Sequence, residues 1–132
     1  MPNIPSGTKG EQQTLVTSDI AINFLGVEGA RVLATPFMIM HLEITARNSV
    51  LPLLEPGHDT VGTLVNVAHL AATPIGMNVT FRSEVISVED RRINFKVEAF
   101  DEKEKIAEGT HQRAVVNVAK FATRIQAKAA GV

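Results

Sequence analysis

Hydrophobic and polar positions change their period along this chain. From Thr35 to Leu51 (TPFMIMHLEITARNSVL) they follow a helical rhythm, and beyond residue 60 they alternate. At the start of the first stretch Thr35 suits a helix cap and Pro36 the first helical position. A rotation of ~100° per residue gathers His41, Thr45, Asn48 and Ser49 on one polar stripe. Glu43 falls roughly opposite that stripe, beside Ile39, Met40, Ala46 and Val50. The helix is therefore expected to carry a carboxylate on its buried side, where an unpaired charge is costly. Arg47 follows four residues later, in the favourable order for a helical ion pair. A structural salt bridge and a working carboxylate oriented by arginine both fit that spacing.

The alternating part divides into four strands. In 61–71, Val61, Thr63, Val65, Val67, His69 and Ala71 share one face. TPIG (73–76) turns the chain, and 77–88 alternates Met77, Val79, Phe81 and Val85 with Asn78, Thr80, Arg82 and Glu84. EDRR (89–92) leads into 93–99, and DEKEK (101–105) leads into a final strand over 106–118. An earlier strand is expected over 12–18 and a mixed connection over 19–34. Leu51-Pro52 and EPGHD (55–59) end the helix, because proline cannot continue it and Pro-Gly favours a turn. Short turns imply antiparallel neighbours. One long apolar helix against one antiparallel sheet is an α+β layer architecture. A curved sheet wrapped around a central helix is the hotdog arrangement. Residues 1–10 are expected to be disordered, 11–121 to form a single domain, and 122–132 to be a weak, fraying tail.

Composition narrows the function. A chain of 132 residues is long enough for one core. Its net charge of −1 and dispersed basic residues argue against a broad nucleic-acid surface, and without Trp or Tyr there is no stacking platform for single strands. The absence of cysteine excludes disulfides, a thiolate nucleophile and cysteine metal sites, and fits a cytoplasmic location. The N-terminal segment shows no apolar core of a secretory signal. Val32 to Ala46, interrupted by Pro36, His41 and Glu43, is too short and polar to span a bilayer. There is no phosphate loop, HExxH or nucleophile elbow, and Glu43, His69 and His41 form no recognisable metal-ligand spacing, so neither metal nor cofactor is expected.

The candidate chemistry lies where helix and sheet face each other. His69 is on the apolar side of its strand and converges on Glu43 if that side packs on the helix. A carboxylate and an imidazole together can act as an acid–base pair, although an inward histidine also serves as a hydrogen-bonded core residue. Thr35 adds a hydroxyl that capping alone would explain. Eight helical residues span about 12 Å, so a capping Thr35 could not reach Glu43 of its own chain. Either the regular helix begins after Thr35, or the groups meet across a dimer interface. Gly62 could bring a backbone N–H close to a ligand as an oxyanion donor, or simply ease the turn into its strand. His41 and His58 read as surface or turn residues. His111 and Arg113 share a face of the last strand, where they read as solvated, as a phosphate site or as a dimer seam.

The order and spacing of TPFMIMHLE (35–43), LEPGHDTVGT (54–63), VAHLAATPIGM (67–77) and EGTHQRAVVNVAKF (108–121) resemble the hotdog thioesterase family typified by fluoroacetyl-CoA thioesterase. The resemblance runs from Thr35 to Phe121. It implies a catalytic threonine, glutamate and histidine at Thr35, Glu43 and His69, and a backbone glycine beside the thioester carbonyl at Gly62. It also implies a homodimer and an acyl-CoA substrate. The family's best-known member has a longer, phenylalanine-bearing lid before the threonine. Here AINFLGVEGARVLA (21–34) is shorter and offers only Phe24 as the lid's aromatic contact. A general short- or medium-chain acyl group is therefore expected ahead of fluoroacetyl selectivity, with Phe24 and Arg113 as further substrate-binding candidates.

Hydrolysis of an acyl-CoA thioester, without a cofactor, is the function these features imply. Glu43 would attack the carbonyl or deprotonate water, His69 would serve the leaving thiolate or orient the nucleophile, and Gly62 would stabilise the oxyanion. A non-catalytic acyl-CoA or acyl-carrier binder is the alternative, because one scaffold hosts several roles. A hotdog hydratase would be similar to proteins with an Asp/His pair on a longer loop-helix motif, which is not found in this sequence.

Overall fold

Five antiparallel strands curve around one long helix. The computed structural model describes residues 3–132. The elements run β1 (Lys9–Leu15), α1 (Thr35–Val50), β2 (His58–His69), β3 (Asn78–Glu89), β4 (Arg92–Phe100), β5 (Lys105–Asn117) and α2 (Val118–Ala129). Short 3-10 turns lie in the connection before α1 and directly after it. This is the expected α+β hotdog arrangement. The core is Met38, Leu42, Ala46 and Val50 of α1 against Phe81, Val85, Ile93, Phe95 and Val97 of the sheet.

The sheet order is β1-β3-β4-β5-β2. The meander β3-β4-β5 follows from its tight connections, but β2 and β3 are not neighbours as the alternating pattern had implied. The eight residues 70–77 carry the chain across instead, and the Leu33 N–H donates to the Thr73 carbonyl along the way. Thus β2 closes on β5, β1 on β3, and both β1 and β2 are edges. Two terminal expectations also change. Of residues 1–10, expected to be disordered, 1 and 2 lie outside the described residues, whereas 3–10 bury Ile4 and begin β1 at Lys9. The C-terminal tail forms α2, whose first turn is capped by Asn117 accepting from the Lys120 N–H.

The helix sits rotated from its expected pose. Its buried positions are Met38, Leu42, Thr45, Ala46 and Val50, which moves Thr45 inward and leaves Glu43 on the flank. Thr45 tolerates burial because its hydroxyl donates to the His41 carbonyl at 2.7 Å. The small side chains of this stripe admit β1: a Cβ added at Gly10 would lie 2.7 Å from Ser49 Cβ and 2.8 Å from the Thr45 carbonyl. His41, read as a surface residue, stacks on Phe81 with ring centroids 5.3 Å apart.

Candidate active site

Two clusters of polar groups occupy the seam between α1 and the β2–β5 pair. The first joins the start of the helix to the end of β2. Ala34 is the N-cap residue and makes no side-chain capping bond, so Thr35 is not the expected cap. Its hydroxyl lies instead 2.8 Å from His69 Nδ1. Burial, the largest influence, holds the His69 pKa below the usual histidine value. His69 Nε2 is buried and has no hydrogen-bond partner among the described residues.

The second cluster is centred on Glu43. Its Oε2 accepts from Arg113 Nη1 at 3.1 Å, and its side chain is 37% exposed against 8% for Arg113. Arg113 is fixed on its other sides: Nε donates to Thr60 Oγ1 at 2.7 Å and Nη2 to the Thr60 carbonyl at 2.9 Å. His111 extends the network. Its Nδ1 lies 2.7 Å from the Leu64 carbonyl, which requires the proton on Nδ1. Nε2 is then free to accept from Arg113 Nη1 at 3.2 Å. Burial, the largest influence, lowers the His111 pKa and is consistent with that neutral tautomer.

Arg47 does not pair with Glu43. It forks onto Asp59 of β2, with Nη2–Oδ2 at 2.6 Å and Nε–Oδ1 at 3.0 Å. The Arg47 hydrogen bond is the main cause holding the Asp59 carboxyl below its ordinary range. The arginine that reaches Glu43 comes from β5. Nor are His111 and Arg113 solvated strand residues: they are 2% and 7% exposed. Ala107 and Val115 share their parity on β5, and that apolar company is the signal that marks the face as inward.

A bulge brings Gly62 and His69 to the same side of β2. The register with β5 shifts between Gly62 and Leu64, so Gly62 faces Arg113 whereas Val65 faces His111 and His69 faces Ala107. Strict alternation would have placed Val61 and Thr63 with His69; the bulge replaces them with Thr60 and Gly62. A side chain at Gly62 would run into Glu43 Oε2, and its Cβ would also lie 3.5 Å from His111 Cε1. Absence of a Cβ is thus what lets the carboxylate approach the β2 backbone. Phe24 stands apart, 77% exposed on the connection before the helix.

The two clusters remain separate within one chain. Eight helical residues, about 12 Å, divide Thr35 from Glu43, and no hydrogen bond or ion pair links the clusters among the described residues. Among those residues no group of three or more histidines and carboxylates is placed to hold a metal ion, and no helix is long and apolar enough to cross a membrane.

Known proteins are similar to this chain in sequence and fold. Residues 16–119 match the family model for fluoroacetyl-CoA-specific thioesterase. The fluoroacetyl-CoA thioesterase of Streptantibioticus cattleyicolor is 42% identical over 101 residues, spanning 76% of this chain and 73% of that protein. A solved fluoroacetyl-CoA thioesterase superposes with a TM-score of 0.87 at 34% identity, covering 96% of this chain and 98% of its own. A Thermus thermophilus protein described as a thioesterase superfamily member gives 0.86 at 32% identity, over 96% and 93% of the two chains. With a family match across most of its length and close relatives sharing its sequence and fold, the chain belongs to the fluoroacetyl-CoA-specific thioesterase family.

Proposed function

We propose that this chain hydrolyses small or medium acyl-CoA thioesters to the free acid and CoA, with Glu43 acting at the thioester carbonyl. The observation that carries the reading is the asymmetric setting of this carboxylate. Arg113 holds Oε2 against the side-chainless face of Gly62, while Oε1 has no hydrogen-bond partner among the described residues. One oxygen is anchored and the other is free to attack the carbonyl, forming an anhydride, or to deprotonate a water. The β2 bulge leaves Thr63 without a partner in the β5 register, so backbone donors beside Gly62 can serve the oxyanion.

Thr35 and His69 supply the second half of the chemistry. A threonine hydroxyl donating to Nδ1 places the imidazole proton on Nε2, the buried nitrogen without a partner. That N–H can stabilise the departing thiolate by a hydrogen bond, and the proton the sulfur takes up is the one that Glu43 removes from water. The two halves come together in a homodimer. β2 is a free edge, and Leu64 and Val65 on it are 51% and 41% exposed. Pairing of two such edges sets the Thr35–His69 pair of one protomer against Glu43 of its partner and covers this apolar surface. A variant of the family's solved thioesterase has been seen with fluoroacetate and CoA. In the present chain, the exposure of Phe24 favours a general small-acyl pocket over strict fluoroacetyl selection.

The direct test is free-thiol release from a panel of acyl-CoAs, acetyl to decanoyl with phenylacetyl and fluoroacetyl. The expected result is turnover that declines beyond one chain length. Binding of the same thioesters without thiol release would instead identify a non-catalytic acyl-CoA binder.

A further inference from the structure

Two consecutive residues of β5 grip the β2 bulge from opposite faces of the sheet. His111 and Gln112 are neighbours on that strand, so their side chains leave it in opposite directions. His111, buried beneath α1, has its Nδ1 2.7 Å from the carbonyl of Leu64, where the register with β5 resumes after the shift. Gln112 stands on the outer face. There the Thr63 hydroxyl finds two acceptors on it, the backbone carbonyl at 3.1 Å and Oε1 at 3.0 Å. Thr63 is the residue left without a partner in the β5 register, so its side chain supplies a tie between the bulged residue and β5.

Each grip is itself held. Gln112 Nε2 donates to Asn94 Oδ1 at 3.1 Å, which turns the amide oxygen of Gln112 toward Thr63. Asn94 Nδ2 donates in turn to Ser87 Oγ at 3.0 Å. This polar row crosses β2, β5, β4 and β3 and has a register shift at each end, between Gly62 and Leu64 on one side and between Val85 and Ser87 on the other. On the inner face the His111 ring stacks on Phe95 of β4, with centroids 6.0 Å apart. Its Nε2 accepts from Arg113 Nη1, and the same Nη1 donates to Glu43. The imidazole therefore links the bulge to the arginine that holds the carboxylate. The outer row lies across the sheet from Glu43, so any effect it has on turnover must pass through the bulge.

We infer that His111 and Gln112 are positioning residues: together they fix the β2 bulge, and with it the backbone beside Gly62, in register with the Glu43 carboxylate. Oxyanion donors act well only when they are held in place before the reaction, and a strand that has lost regular pairing needs other ties to stay rigid. The consequence for turnover rests on the thioesterase reading; the mechanical hold on the bulge does not.

Thr63→Val separates the two claims, because valine keeps the branched shape and deletes only the hydroxyl at an exposed site. Amide hydrogen exchange over residues 60–66, read by mass spectrometry, should become about tenfold faster. Thiol release should lose about fivefold or more in kcat with KM unchanged, since the reacting geometry is disturbed and acyl-CoA binding is not. Thr63→Ser keeps the hydroxyl and should restore both. Adding Gln112→Met to Thr63→Val should cost little more than Thr63→Val alone, because both changes break one link. On the inner face, His111→Asn keeps a donor near the position of Nδ1 but offers Arg113 no acceptor. It should retain slow exchange over 60–66 and still lose kcat. Unchanged exchange in Thr63→Val would overturn the clamp, and faster exchange with wild-type kcat would overturn its role in positioning. Wild-type kcat in His111→Asn would overturn the link through Arg113. If the wild-type protein releases no thiol from any acyl-CoA, the thioesterase reading fails, and the exchange measurement alone decides the clamp.

Discussion

Glu43 and Gly62 depend on each other. Any side chain at Gly62 would meet the carboxylate oxygen that Arg113 holds, so the glycine is required by close approach rather than by backbone conformation. Gly62→Ala should cost at least about tenfold in kcat, because displacing a catalytic group by a fraction of an ångström is severe. Its stability should change by only about 1 kcal/mol, since Glu43 can swing toward solvent. Steady-state kinetics beside thermal unfolding would reveal this split; wild-type kcat in the alanine variant would contradict it. The histidines make a separate prediction. Burial lowers the pKa of both His69 and His111 in the folded chain. As pH falls below about 6.5 the unfolded chain takes up protons that the folded chain resists, so unfolding gains and stability declines until the folded-state pKa values are passed. Melting temperature measured from about pH 8 down to about pH 5 should fall along the acid side, and His111→Gln should flatten part of that fall. At this scale Glu43 and His69 stood out in the sequence as polar residues at positions expected to be apolar, although the helix turns Glu43 to its flank. The partner of Glu43 did not: helix spacing nominated Arg47, but Asp59 across the seam offers that arginine two oxygens, and Arg113 comes from a strand 70 residues away.

β2 carries most of the geometry of the candidate site and is the element whose pattern misled. Its boundaries followed from alternation, but alternation assumes an unbroken pleat. The bulge at Thr63 changes the face between Gly62 and Leu64, and only that change lets Gly62 and His69 both address the helix. Gly62 within VGTLVN is the one local hint, since a glycine inside a strand often marks a bulge, but the shift of face itself is set by pairing with β5. Position in the sheet was equally hidden, because the connection over 70–77 is long enough to carry β2 to the far edge. That edge leads to a prediction. If two β2 strands pair, Leu64→Lys places a charge in the seam and should shift the protein from dimer to monomer in light scattering, with activity lost in step. A monomeric wild type with full activity would show that the site is complete within one chain.

At the scale of the molecule, helix and sheet have separate duties. The core of Met38, Leu42, Phe81, Phe95 and Val97 fixes α1 across the sheet, and the flanks of the helix carry the polar clusters at its margin. This division explains why a half-exposed glutamate can be held in one pose: its arginine is anchored on a buried threonine of β2 rather than on the helix. It also explains why the architecture was legible before the site was complete. Apolar periodicity reports the core directly, whereas the clusters depend on register, on a bulge and on the free edge of β2. Glu43→Gln decides whether this carboxylate converts the thioester, because the amide keeps the shape and removes the base. Thiol release from a good acyl-CoA substrate should fall by at least about a hundredfold in this variant, with folding and acyl-CoA binding retained. Turnover at the wild-type rate would rule out a catalytic Glu43 and leave Glu43–Arg113 as an ion pair of structural purpose alone.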